Sequence, residues 1–375
     1  MPFLTGLTVY CIELDKTPQY VDNLTRNKIF GGIMRKKLLA LCLILLALGS
    51  FVFADDAKVM PAMVGRFYVA PTFAFVPGAY NGDGKYTSIS GDSPTLFNLG
   101  FAVEFGVLDW ITAAVQWVPG WTIFSDVKSL APAAYQALPI NFDSNGVADI
   151  FAGAKIQIIG EKAPVASDMF RFAAALGVII PMPGPDFSKE AGNIAGTKDA
   201  TINSMDRHAF ALGARLYFDW IINKMFFLNL YNETIIYLGD GDFKGHGLDT
   251  ASAIGGLGNG KVSYKYKLTF EIEPVFTMPL AEGINFSAGL PVNFVYKPAP
   301  GLSPYNAMYF PNSNYKDDSY VLSLRPNASV FLTKTPLPLE FKLIYSLPIL
   351  GQNNIAQHAI QLQIRAYFAL PGAER

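Results

Sequence analysis

Residues 261–278 read KVSYKYKLTFEIEPVFTM. Val262, Tyr264, Tyr266, Leu268, Phe270, Ile272, Phe276 and Met278 fall on one side of a period-two repeat. Ser263, Lys265, Lys267, Thr269, Glu271, Glu273 and Thr277 fall on the other. A helix at about 3.6 residues per turn would scatter both sets around its circumference, whereas successive side chains of a β-strand point to opposite faces. The stretch is therefore a strand with one greasy face and one charged face. It is far longer than the roughly 5–6 residues usual in soluble sheets.

The alternation recurs along the chain. Ile150, Ala152, Ala154, Ile156 and Ile158 oppose Asp149, Lys155 and Gln157; Ile360, Leu362, Ile364, Ala366 and Phe368 oppose Gln361, Gln363, Arg365 and Tyr367. Carried through, it predicts twelve strands near 64–76, 95–107, 110–118, 147–159, 169–180, 207–220, 225–238, 262–278, 284–296, 319–332, 338–349 and 356–368, with ten or fourteen as the nearest miscounts. Most exceed the ~9–11 tilted residues that cross a bilayer. The connections 77–94, 119–146, 181–206, 239–261 and 297–318 are long and rich in Gly, Pro, Asn, Asp and Ser, and they alternate with short ones; the last, near 350–355, is a short exception. In a closed antiparallel up-and-down barrel this sorting puts the long outer loops on one side, with the short periplasmic turns and both chain ends on the other.

Composition agrees. Of 375 residues only 16% are charged, against roughly a quarter in average globular chains, while 51% are hydrophobic and 14% aromatic. Only residues 38–54 form an apolar run long enough to weigh as a membrane helix, so a helical-bundle membrane protein is excluded. A net charge of −1 without a Lys/Arg run argues against nucleic acid as a partner, because phosphate neutralisation needs concentrated positive charge. The two cysteines, Cys11 and Cys42, leave no disulfide or thiolate metal site downstream.

Residues 34–54, MRKKLLALCLILLALGSFVFA, set Arg35, Lys36 and Lys37 before an uncharged apolar run and then Val-Phe-Ala. That is the build of a secretory signal peptide cleaved after Ala54. Residues 1–33 precede a start that already looks complete and read as an upstream extension of the gene start. Residues 55–375 then form a single barrel domain without cysteine.

Aromatic residues gather at strand ends. Trp110 and Trp220 follow Asp109 and Asp219 at two short turns, and Trp117 and Trp121 flank the start of a long loop, as membrane-interface girdles require. A large soluble β-sandwich is the alternative, but it explains neither the strand lengths nor the sorted loops. In its signal peptide, its alternating strands and a last strand ending in Tyr367-Phe368, the sequence resembles the outer-membrane β-barrel proteins, porin-like, of double-membraned bacteria. Residues 369–375 extend past that terminal aromatic, where many members stop. The resemblance implies an outer-membrane location, lipid around the greasy band, and barrel-assembly machinery as a partner during insertion.

If the greasy face meets lipid, the other lines a lumen. Arg66, Lys155, Arg171, Arg207, Arg215, Lys261, Lys265, Lys267, Arg325, Lys342 and Arg365 outnumber Glu104, Asp149, Asp219, Glu233, Glu271, Glu273 and Glu340 there. The expected function is a passive, narrow channel for small polar solutes with weak anion preference, lined by Arg207, Arg215, Glu233, Lys265, Lys267, Glu271, Glu273, Arg325 and Arg365. The competing expectation is a plugged lumen in which Lys265 and Lys267 pair with Glu271 and Glu273. Two other functions stay open: a transporter of hydrophobic molecules, favoured by inward Phe151, Met169 and Phe227, and a non-conducting barrel presenting adhesive or antigenic loops. A plug is disfavoured because about nine residues separate Ala54 from the first strand, so any constriction is expected from the loop 119–146. No catalytic, cofactor or metal site is expected. His208, His246 and His358 lack partners for nucleophilic or acid–base work. Gly255–Gly260 lacks the following helix of a phosphate cradle, and Asp240, Asp242 and Asp249 lack a completing Glu for calcium.

Overall fold

The structure, a computed structural model, describes residues 56–89, 92–125, 144–182, 209–242, 261–299, 301–302 and 318–371. Residues 34–54, expected to be a signal peptide, the upstream residues 1–33, Arg207, His208, His246, Asp249, Gly255–Gly260 and most of the loop 119–146 lie outside these residues.

Twelve antiparallel strands close into a barrel. They are β1 (Val64–Tyr80), β2 (Thr95–Leu108), β3 (Ile111–Ser125), β4 (Ile150–Gly160), β5 (Phe170–Ile180), β6 (Ala211–Ile221), β7 (Phe226–Tyr237), β8 (Tyr266–Ala281), β9 (Ile284–Gly289 continued by Val292–Lys297), β10 (Ser319–Leu324 continued by Asn327–Leu332), β11 (Leu339–Gln352) and β12 (Asn354–Ala369). Each pairs with its sequence neighbours, and β12 closes on β1 from Val64↔Ala369 to Tyr80↔Asn354. At that seam the Phe368 ring lies over Gly65, which has no side chain to keep it off.

Several strands depart from the sequence reading at their ends or within them. β1 runs on to Tyr80, where Tyr86–Ser88 folds back on it as a hairpin. β3 does not stop at Pro119-Gly120 but passes through a bulge, because Gly100 opposite and Gly120, at φ 80°, let the backbones approach more closely than a Cβ would allow. β4 begins at Ile150, with Ser144–Val147 as a separate short strand on β3. The 261–278 run breaks at Tyr264-Lys265, where Lys265 adopts φ 56°; Lys261–Ser263 leaves the wall to form a small sheet with Gly241–Asp242 and Gly301–Leu302. β9 and β10 are interrupted at Leu290-Pro291 and Arg325-Pro326, since proline has no N–H to give the ladder. The ladder re-forms around them: Leu290 donates its N–H to Pro274 O (3.2 Å), Arg325 to Pro291 O (2.8 Å) and Tyr345 to Pro326 O (3.0 Å).

Burial is inverted relative to a soluble protein. Leu176 is 71% exposed, Leu343 54% and Val115 52%, while Asp219 is 0% and Glu271 1% exposed. Water would penalise both sets; lipid outside and a polar interior satisfy both. Trp110 sits at the β2–β3 turn and Trp220 near the end of β6, on the turn side, whereas Trp117 and Trp121 lie further along β3. Trp117 stacks on Phe101 and donates its indole N–H to Ala148 O (2.7 Å), Trp121 packs edge-on to Phe97, and Trp220 is exposed.

Candidate functional site

The lumen is organised by ion pairs, most between neighbouring strands and two reaching from β8 to β10 and to β11. Arg66 of β1 pairs with Glu104 of β2 (2.6 Å), Arg171 of β5 with Asp219 of β6 (3.4 Å), and Arg215 of β6 with Glu233 of β7 (2.9 Å), which Lys267 of β8 also approaches (3.4 Å). Arg325 pairs with Glu271 (3.1 Å), Lys342 with Glu273 (3.9 Å), and Arg365 with Glu340 (3.2 Å). Asn293 donates to Glu271 (2.7 Å), while Asn229 (3.1 Å) and Asn327 (2.8 Å) donate to Glu273, so each of these buried carboxyl groups accepts from amide donors as well as facing a cation.

These partners differ from the expected ones. Lys267 meets Glu233, not Glu271 or Glu273, and Lys265 lies exposed at the loop-side break. Of the residues expected to line the lumen, Arg215, Glu233 and Lys267 form one cluster, Arg325 and Glu271 a second, and Glu273 a third with Lys342. Arg365 stands with Glu340. The alternation assigned a face but could not say which strands stand opposite, and that decides which charges meet.

On the β3–β7 side the interior is filled. Gly153, Gly177 and Gly213 sit side by side on β4, β5 and β6, and a Cβ on any of them would meet the Phe151 ring. The glycines form a slot in which the ring lies flat against the wall. The Arg215 guanidinium stacks on it at 3.8 Å and reaches on to donate to Gln116 of β3 (2.7 Å), which in turn donates to Glu104 (3.3 Å). A second cluster joins Ala173, Ala175 and Tyr217 with the half-buried Tyr231, and Lys155 lies 4.0 Å over the Tyr217 ring.

That second cluster includes Ala57, which corrects the expectation that the short amino-terminal segment would leave the lumen free. Residues 56–63 enter the barrel from the turn side. At about 3.3 Å per extended residue, so short a segment already spans the mouth. The Ala57 N–H is donated to the buried Asp219 carboxylate (2.9 Å), Gln157 donates to Ala57 O (2.8 Å) and Lys155 to Asp56 O (2.6 Å). The Met60 N–H is donated to Thr112 Oγ1 (2.7 Å), Ala62 to Asp109 (2.9 Å) and Met63 to Gly106 O (2.9 Å). Burial works to raise the Asp56 carboxyl, but Lys58, Lys155, Arg171 and Arg66 outweigh it and hold the group well below the usual carboxylate range. Asp219 and Gln157 were legible as inward and Asp109 as a turn residue; that they serve as docking points was not.

The β7–β12 side keeps open space. A cavity of about 610 Å³ on the turn side is bordered by the amino-terminal segment, Phe227, Glu273, Lys342, Arg365 and Tyr367. A second, of about 370 Å³, lies towards the loops between Thr72, Asn293, Lys297, Arg325, Gln357 and Gln361. A side-chain ladder runs along β12 between their levels: Arg365 donates to Gln363 (2.6 Å), Gln363 to Gln361 (2.7 Å) and Gln361 to Thr72 (2.8 Å). At the outer rim, Asp318 accepts from the Tyr296 hydroxyl (2.6 Å) and the Ala299 N–H (2.8 Å), and these bonds lower its pKa. Met169 is exposed at the β4–β5 turn, away from both cavities, while Phe151 is occupied by the glycine slot.

No known protein family and no curated protein matches this sequence. Solved structures do. An outer membrane channel from Pseudomonas putida F1 aligns with a TM-score of 0.56 at 13% identity, over 84% of this chain and 100% of its own. The NanC porin aligns at 0.37 and 9% identity over 81% and 100%, and the β domain of a Bordetella autotransporter at 0.42 and 11% over 82% and 100%. At such identities the likeness concerns architecture. The chain has the closed twelve-stranded fold of a porin-like outer-membrane β-barrel.

Proposed function

We propose that this protein is a passive, narrow channel of the outer membrane for small polar solutes, with weak preference for anions. The pair of cavities along the β7–β12 side, lined by polar and apolar side chains alike, carries this reading: a lumen merely filled by side chains would leave no such space. Twelve strands enclose more room than the eight whose interior side chains fill, and less than the 16–18 of wide porins. The packed β3–β7 half and the inserted segment narrow it further. Anion preference is expected to be weak because Arg66, Arg171, Arg215, Lys267, Arg325, Lys342 and Arg365 each have a carboxylate within 4 Å. The surplus of basic over acidic residues on the inward-facing register supplies what preference there is.

Proteoliposomes test the reading. Swelling in small neutral solutes such as glycerol and arabinose, falling away for disaccharides, is the expected result; swelling no faster than protein-free vesicles refutes it. Reversal potentials in a KCl gradient should lie modestly on the chloride side, and a cation-selective potential would remove the anion preference alone.

A further inference from the structure

We infer that the loop-side cavity is a binding site for a small organic carboxylate, whose anionic group sits on Arg325 and whose apolar body lies against Val295, Val321, Ile344 and Ile355. The inference rests on the channel reading and names a solute class for it. The two cavities differ in charge: carboxylates of Asp56, Asp109, Glu161, Glu273 and Glu340 border the turn-side one. Among the described residues bordering the loop-side cavity there is no carboxylate, and its charged groups are Arg325 and Lys297.

Arg325 is placed for this role by the chain. It stands at the interruption of β10 before Pro326, and its backbone N–H is donated to Pro291 O, so its main chain is fixed from two strands. One guanidinium nitrogen, Nη1, holds Glu271 at 3.1 Å. That carboxylate is 0% exposed behind it, while the Arg325 side chain is 30% exposed. The buried carboxylate orients the guanidinium, and the exposed edge keeps N–H groups in the planar fork that a second carboxylate matches. Around it stand four branched apolar side chains together with Asn, Gln, Ser and Thr groups. A fully hydroxylated sugar or an inorganic anion would leave the apolar wall unused. A single-ring or short-chain carboxylate fits both the fork and the wall in about 370 Å³.

The test uses the purified full chain in detergent and in planar bilayers, with benzoate as probe and benzyl alcohol as its neutral counterpart. Calorimetry should show benzoate bound and benzyl alcohol at least roughly tenfold weaker, the difference a charge-assisted contact makes. Removing the cation alone strands Glu271, so the variant is the Arg325→Gln, Glu271→Gln pair, which keeps a hydrogen-bonding couple; it should weaken benzoate by about tenfold or more. Val321→Asn, which leaves Arg325 in place, should weaken benzoate while leaving acetate unaffected. In bilayers benzoate should interrupt the current in the parent more than in the pair variant. Equal binding of benzoate and benzyl alcohol, or undiminished benzoate binding in the folded pair variant, overturns the inference. A protein that conducts KCl but ignores benzoate refutes this inference and leaves the channel; one that binds benzoate without conducting refutes the channel and leaves the site.

Discussion

Replacing Asp219 with Ala should release the amino-terminal segment from the lumen. Asp219 is 0% exposed and its Oδ1 accepts the Ala57 N–H at 2.9 Å; its other oxygen meets Arg171 at 3.4 Å. A hydrogen bond to a charged group contributes roughly 1.5–3 kcal/mol, so its loss shifts the docked-to-released ratio by about 10- to 150-fold. Asp219→Asn keeps an acceptor and should have a smaller effect. Residues 55–375 contain no cysteine, so Ala57→Cys provides a single reporter at a position that is itself 0% exposed. Where re-docking is fast relative to labelling, the rate with a membrane-impermeant maleimide reports the released population. It should rise at least about tenfold from Ala57→Cys alone to the Asp219→Ala background, with Asp219→Asn between. Single-channel conductance should rise in parallel, since the segment borders the larger cavity. Equal labelling in all three backgrounds would refute the claim that Asp219 holds the segment in place.

Other perturbations address the filled side, the seam and the rim. Arg215→Ala leaves Glu233 with only Lys267 and uncovers the Phe151 ring; a loss of about 3 kcal/mol is expected in urea unfolding from detergent, and Arg215→Lys should not restore it because the stacked fork is missing. Gly177→Val removes the slot and drives the Phe151 ring into the lumen, lowering conductance, and adding Phe151→Ala should recover it. Phe368→Ala uncovers Gly65 at the β1–β12 seam and should lower the unfolding midpoint by the equivalent of roughly 3 kcal/mol, the usual loss for a large aromatic. At the outer rim, Asp318 has its pKa lowered by the Tyr296 hydroxyl and the Ala299 N–H, so its contribution is present above the ordinary carboxylate pKa and lost as pH falls through its own lower value. Proteolysis at the rim should therefore increase only in strong acid, and Asp318→Asn should remove that pH dependence.

The fold was readable because lipid and lumen impose opposite demands on alternate residues. That alternation located the twelve strands of the wall, and it placed Glu271, Glu273, Arg325 and Arg365 inward. It failed where backbone geometry overrides pattern. Pro119-Gly120 looks like a stop yet forms a bulge, because Gly100 stands across from it. The perfect alternation through Lys265 hides a left-handed residue that turns the strand out of the wall. The amino-terminal segment carries no period at all, being held by single hydrogen bonds to side chains that are distant in sequence. The glycine slot left a trace, since Gly153, Gly177 and Gly213 each fall within a predicted strand where glycine is otherwise costly, but only strand register shows that they adjoin.

The central claim is a continuous aqueous path through a barrel that is half filled. Its most direct measurement is the current through single molecules of the folded protein in a planar bilayer at 1 M KCl. Discrete steps well below those of wide porins, enlarged when residues 56–62 are deleted, are the predicted result. A protein that inserts with intact strand content yet shows no steps, with or without that segment, would contradict it.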